Sequence, residues 1–197
     1  AGPNLESQIA GRGSGASDWA ADHYATIVNV DVGGGSANAA LFRAGKHVSS
    51  AAVMVGGRQA MINPDTGVLE HLKPGGQVVV DELDLKQLQV GKPVQLDVLR
   101  QFTDAMADVV VDLVLGRTSS LGEKLALTPP LDTNGPVAAY FISGGVGSAY
   151  YEQLPCDSVE EIARYGDVGP LFAASLRENP RWQQLRIEEP AQTLRAT

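Results

Sequence analysis

The pattern of apolar and polar positions divides the chain into recognisable pieces. Ala25-Thr26-Ile27-Val28-Asn29-Val30-Asp31-Val32 is β-branched and nearly continuous, the pattern of a strand buried on both faces. Residues 37–43 read as a second strand and 47–55 as a third. Gly33-Gly34-Gly35 turns the chain after the first strand, and Ala44-Gly45-Lys46 forms a hairpin turn after the second. The result is a three-strand meander with one unusually glycine-rich corner. Over 94–115 the period becomes helical: Val94, Val98, Phe102, Met106, Val109 and Leu113 recur at spacings of three and four, while Asp97, Gln101, Asp104, Asp108 and Asp112 line the opposite face. Gly116 follows as the residue that ends such a helix.

The remaining segments give shorter signals. Residues 59–89 hold strand-like pieces, Val78-Val79-Val80 among them, between the turn sequences Pro64-Asp65-Thr66-Gly67 and Pro74-Gly75-Gly76, which predicts a small β-rich insertion. Residues 137–143 form another buried strand, which ends in Gly144-Gly145-Val146-Gly147, with a helix over 148–154. Ser158-Val159-Glu160-Glu161 has capping-box spacing. Asp167-Val168-Gly169-Pro170 opens a helix that stops before Asn179-Pro180. Leu185-Arg186-Ile187 reads as a short strand, and Glu189-Pro190 begins a helical segment that runs to Thr197. Upstream, residues 9–16 read as a flexible glycine-rich entry, with Ser14 or Ser17 capping a short helix over 19–23. The pieces group as 1–58, 59–92 and 93–197 of an α/β fold.

Composition narrows the function classes. The net charge is −8 and the 15 basic residues do not cluster, so no nucleic-acid partner is expected. No apolar run has the length of a membrane span, and no signal-peptide pattern opens the chain, so no membrane partner is expected. A single cysteine, Cys156, suits a reducing compartment and a cytoplasmic location. It lies beside Pro155 with no basic neighbour in sequence and is read as non-catalytic. His23, His47 and His71 are scattered and lack metal-ligand spacing. Gly45-Lys46 and Gly91-Lys92 lead into His47 and Pro93, which excludes a Walker-type loop.

Four glycine motifs carry the candidate chemistry. In Val30-Asp31-Val32-Gly33-Gly34-Gly35-Ser36 a buried strand delivers a carboxylate to a turn whose N–H groups can converge on an anion. Asp31 suits a hydrated Mg²⁺, and Ser36 adds a hydroxyl donor. On this motif alone a phosphate cradle and a plain hairpin corner are equally good readings. Ser143-Gly144-Gly145-Val146-Gly147 joins a strand to a helix N-terminus, where bare glycines admit a flat group. Alone it reads best as an ordinary turn. Val55-Gly56-Gly57-Arg58 pairs glycines with a cation, and Gly11-Arg12-Gly13-Ser14-Gly15-Ala16 reads first as a linker.

The order of these motifs is more specific than any one of them. A strand with Asp-x-Gly-Gly-Gly-Ser, a later strand closing on Gly-Gly, a long amphipathic helix, then a strand ending in Gly-Gly resembles the second half of the actin/Hsp70/sugar-kinase superfamily. Within it, Ile9 to Ala16, Asn29 to Phe42, Val55 to Arg58, Phe141 to Gly147 and Tyr165 to Pro170 resemble the ethanolamine ammonia-lyase reactivases.

That resemblance implies an actin/Hsp70-type, ribonuclease H-like ATPase lobe with a mixed sheet, flanking helices and a small β-rich subdomain. It implies ATP and Mg²⁺ as cofactors, with Asp31 catalytic and holding Mg²⁺ through water. Gly33, Gly34, Gly35 and Ser36 would hold phosphate, Gly144, Gly145 and Gly147 would face the adenosine, and Gly56 and Gly57 would also belong to the nucleotide site. The partner would be ethanolamine ammonia-lyase, whose damaged cobalamin is released, with a bacterial microcompartment as a setting; homo-oligomerisation is left open. No second phosphate loop precedes Asp31, so the chain is expected to be one wall of a two-walled cleft. Two other functions remain open: a small-molecule kinase of the same superfamily, and a lyase-binding module without nucleotide chemistry.

Overall fold

The computed structural model describes residues 3–189. Strand β1 (Thr26–Val32) pairs antiparallel with β2 (Ala37–Arg43), which pairs antiparallel with β3 (Lys46–Val53). On its other side β1 runs parallel to β6 (Ala139–Ser143), so the sheet order is β3-β2-β1-β6. This is the expected mixed sheet, with the meander and the later buried strand in place. The reading of 185–187 as a strand reduces to one parallel bridge, Tyr140 to Ile187, beyond β6.

Both faces of the sheet are covered, which is why β1 reads as a continuous apolar run. Val28, Val30 and Val32 belong to the larger core, where α4 (Leu96–Val114), α6 (Gly144–Glu152) and α8 (Gly169–Glu178) pack. Phe102 and Met106 of α4 are fully buried, each worth about 1.5–3 kcal/mol of apolar burial. Ile27 lies on the opposite face with Phe42 and Phe141, under α2 (Ala16–Asp22). By strand alternation Asn29 and Asp31 share the face of Ile27.

Three local readings are corrected. The glycine-rich entry is not a linker but helix α1 (Pro3–Gly13). Its buried face is made of small residues, and a Cβ on Gly11 would stand 2.4 Å from the Phe42 ring. Helix α2 has Gly15, at φ 80°, as its N-cap residue, while Ser14 Oγ accepts from the first helical amide, that of Ala16, at 3.4 Å and Ser17 lies inside the helix. Val78-Val79-Val80 is not a strand: it lies in α3 (Pro74–Glu82), where Gly75, Gly76, Val79 and Val80 are buried at helical spacing. The β content of that region is the hairpin β4 (Ala60–Ile62) and β5 (Leu69–Leu72). Glycines begin α3 because a Cβ on Gly75 would lie 2.1 Å from the Met54 carbonyl oxygen. The capping serine of α7 (Val159–Ile162) is present, with Ser158 Oγ accepting from the Glu161 amide at 3.2 Å. The helix expected from Glu189-Pro190 onward lies outside the described residues.

Candidate functional site

β1 and β6 are parallel neighbours, so their C-terminal ends open on the same side of the sheet. Ligands in open α/β sheets bind at such strand ends. A cavity of ≈ 370 Å³ lies there. Its wall combines Asp31, Gly33 and Gly34 after β1, Gly57 and Arg58 after β3, Gly144 and Gly145 after β6, and Asp167 and Gly169 at the start of α8. Motifs separated by more than a hundred residues thus meet in one place.

The triglycine turn is held from behind. The amides of Gly57 and Arg58 donate to the carbonyls of Gly33 and Gly34 at 3.0 and 2.7 Å. Gln59, buried at 2% exposure, donates from Nε2 to the Gly35 carbonyl at 2.6 Å and accepts from the Gly76 amide at 2.9 Å. Three successive carbonyls are therefore taken by three successive residues. The amides of Gly34 and Gly35 donate to no carbonyl among the described residues, leaving donors of the kind that bind anions.

Asp31 sits opposite Ser143 in the β1/β6 register, and Ser143 Oγ donates to its Oδ1 at 3.1 Å. Burial pushes the Asp31 carboxyl up from its ordinary range; the Ser143 hydrogen bond opposes this, and the Glu6 charge adds to it. Gly144 takes φ +84°, and a Cβ there would lie 2.6 Å from the Val32 carbonyl oxygen and 2.8 Å from Asp31 Oδ1. Gly145 is different: it is exposed, and no atom lies within 4 Å of where its Cβ would be. The helix that follows, α6, has no side-chain cap at Ser143, and the first amides of a helix lack intrahelical partners.

The other expected residues lie off the cavity wall. Gly35 is exposed at the turn, with open space around it. Ser36 Oγ accepts from Asn38 Nδ2 at 3.1 Å. Gly56 is buried beneath the turn, its Cβ position 2.5 Å from the Gly34 carbonyl oxygen, so close backbone packing explains it. Gly147 packs on Ile142, with its Cβ position 3.3 Å from the Ile142 carbonyl carbon.

In the sequence Asp167 reads only as the opening of a helix, and the fold brings it to the cavity. Burial raises its carboxyl, opposed by the Gly169 amide and by Arg58; that amide donates to Oδ1 at 2.8 Å, and Arg58 Nε lies 3.7 Å from Oδ2. The repeated letters Asp-x-Gly at 167–169 were the available signal. Glu152 and Ser148 complete the rim without a sequence signal, together with the largely exposed Tyr165, which opens the last of the resembling stretches. Cys156 lies outside this wall, and burial raises its thiol above the ordinary range.

With that geometry in place, comparison with known proteins is informative. A model of the family "Ethanolamine utilisation protein EutA" matches residues 1–197. The chain belongs to the EutA family. Two EutA relatives carry the name ethanolamine ammonia-lyase reactivase: that of Salmonella typhimurium is 37% identical over 202 residues, and that of Escherichia coli 38% over 202 residues. Each match covers 100% of this chain and 41% of the relative, so the chain spans well under half the length of the relatives it matches. A crystal structure of ethanolamine utilization protein EutJ from Carboxydothermus hydrogenoformans superposes with a TM-score of 0.33 at 14% identity, covering 90% of this chain and 51% of that one. That superposition is too loose to carry weight. No described helix is long and apolar enough to cross a membrane.

Proposed function

We propose that the cavity holds the phosphates of ATP with Mg²⁺, and that the chain is a nucleotide-binding lobe, of actin/Hsp70 type, in a reactivating factor for ethanolamine ammonia-lyase. The observation that supports this reading is the triglycine turn, whose carbonyls are tied from behind and whose Gly34 and Gly35 amides have no carbonyl partner among the described residues, beside a half-buried carboxylate at the ends of two parallel strands.

The charge of the wall favours a metal-bound phosphate over a bare one. Asp31, Glu152 and Asp167 outnumber Arg58 around the cavity, so a free polyphosphate would meet net repulsion. Mg²⁺, when bound, neutralises phosphate charge. A nearby cation would also keep the Asp31 carboxylate ionised against its burial. In this reading the amide of Gly34 binds phosphate oxygens at the cavity wall, Asp31 orients water in the metal's shell, and bare Gly145 leaves room for the nucleoside. Catalysis of hydrolysis needs groups held together around the phosphate, and one wall alone is expected to hydrolyse ATP poorly.

For the whole protein, the name carried by the relatives supports contact with the lyase. Nucleotide binding would drive exchange of damaged cobalamin for fresh adenosylcobalamin. Sedimentation of the chain with ethanolamine ammonia-lyase, with and without Mg-ATP, tests this link. Association that depends on Mg-ATP is the expected result. Association indifferent to nucleotide would contradict it and favour a lyase-binding module without nucleotide chemistry.

A further inference from the structure

A line of buried polar side chains runs beneath α1 toward Asp31. Ser14, 1% exposed, lies between α1 and α2. Its Oγ contacts Asn29 Oδ1 at 3.0 Å and the Gly11 carbonyl at 3.3 Å. Asn29, fully buried, donates from Nδ2 to Ser143 Oγ at 3.3 Å. Ser143 donates to Asp31 Oδ1 at 3.1 Å. With the single Ser14 proton on its nearer acceptor, Asn29 Oδ1, and not on the Gly11 carbonyl, every donor in the series points the same way, from the helix joint to the carboxylate.

A connected polar series among the large apolar side chains of this face needs an explanation. Its neighbours on that face are Ile27, Phe42 and Phe141, and apolar residues would fill the same space without leaving hydrogen bonds to satisfy. Polarisation passes along such a series, so the first donor strengthens the last. Ser143 also cannot choose freely: with its oxygen accepting from Asn29, its proton is directed to Asp31.

We infer that Ser14, Asn29 and Ser143 are positioning residues, which act in series to fix Asp31 Oδ1 and so the aim of the carboxylate into the cavity. The consequence for nucleotide binding rests on the function proposed above; the effect on Asp31 itself does not. Asp31 is also faced by Glu6 from α1, and Arg58, Glu152 and Asp167 share its cavity, so the test holds pH and all four groups constant.

The experiment labels the aspartate carboxyl carbons with ¹³C and follows the Asp31 ¹³Cγ resonance, assigned by Asp31→Asn, at one neutral pH. Ser143→Ala is expected to displace it, and Ser14→Ala to displace it in the same direction by less, although Ser14 does not touch Asp31. Ser14→Thr restores the position. Ser17→Ala, at a buried hydroxyl outside the series, leaves it unmoved. Ser14→Cys, which keeps the volume and weakens the donor, replaces Ser14→Ala if that variant does not fold. A resonance that moves no more in Ser14→Ala or Ser14→Cys than in Ser17→Ala overturns the inference. In calorimetry, Ser14→Ala is expected to weaken Mg-ATP on the order of three- to ten-fold, the loss of about one hydrogen bond, and to leave Mg-free ATP unchanged. Equal weakening of both overturns the Mg-linked role. Absence of Mg-ATP binding in the unsubstituted chain contradicts the nucleotide reading, while the carboxyl resonance still decides the series.

Discussion

Gly144 and Gly145 are adjacent glycines at the start of α6, and the structure gives them opposite consequences. Gly144→Ala places a residue at φ +84°, where an L side chain costs roughly 1–2 kcal/mol. Its Cβ would stand 2.6 Å from the Val32 carbonyl oxygen. Ordinary contact would require a retreat of several tenths of an ångström by the backbone of a central strand, for about 1–3 kcal/mol more. The sum, about 2–5 kcal/mol, is a large part of an ordinary domain stability of roughly 5–15 kcal/mol. A loss near the middle of that range corresponds to a fall of roughly 7–14 °C in Tm for a chain of this size. Gly145→Ala meets no atom within 4 Å and lies inside a helix, so it is expected to be neutral or to gain about 0.5–1 kcal/mol. Urea unfolding of the two variants beside the unsubstituted chain reads both values. A Gly145→Ala loss equal to that of Gly144→Ala, or a neutral Gly144→Ala, would refute the account of why each glycine is there.

Other outcomes follow from the same geometry. Burial raises the Asp31 carboxyl, so the folded state holds its proton at pH values where the unfolded chain has released it, and stability falls as pH rises through that window above the ordinary carboxylate range. Asp31→Asn is therefore expected to melt higher than the unsubstituted chain at pH 7, with the gap closing as pH falls below that range; a lower melting temperature at pH 7 would contradict it. Gly56→Ala puts a Cβ 2.5 Å from the Gly34 carbonyl oxygen and is expected to cost about 1–3 kcal/mol in urea unfolding, although Gly56 does not line the cavity. Arg181 pairs through Nη1 with Asp112 at 2.6 Å and through Nη2 with Asp108 at 2.9 Å. With the arginine 39% exposed, Arg181→Lys is expected to lose about 1 kcal/mol in the same assay, because lysine lacks the fork that reaches both carboxylates.

The sheet and α4 were legible because apolar residues announce them: β1 is buried on both faces, and α4 carries Val98, Phe102, Met106 and Val109 on one stripe. Helix α1 was not legible because its contact face is Ser7 and Gly11, continued by Ser14, while Leu5 and Ile9 are exposed. A hydrophobic pattern cannot report a helix that touches the sheet through small residues. Helix α3 failed for a related reason, since Val78-Val79-Val80 imitates a strand and the glycines that start the helix imitate a turn. In the cavity, the glycine motifs after β1, β3 and β6 were visible as letters. What was invisible was their division of labour, because only the fold shows that Gly34 and Gly145 line the cavity while Gly56 packs on backbone. Asp167 and Gln59 needed long-range pairing to reach the site.

The central claim is that Asp31 and the triglycine turn form a metal-dependent phosphate site. Calorimetric titration of the chain with ATP, with and without Mg²⁺, beside Asp31→Asn and Gly145→Val, tests it most directly. The account predicts binding that strengthens with Mg²⁺, loses that strengthening in Asp31→Asn, and is weakened in Gly145→Val, whose side chain enters the open space at the cavity wall. No binding by the unsubstituted chain, or the same affinity in all three with and without Mg²⁺, would contradict it.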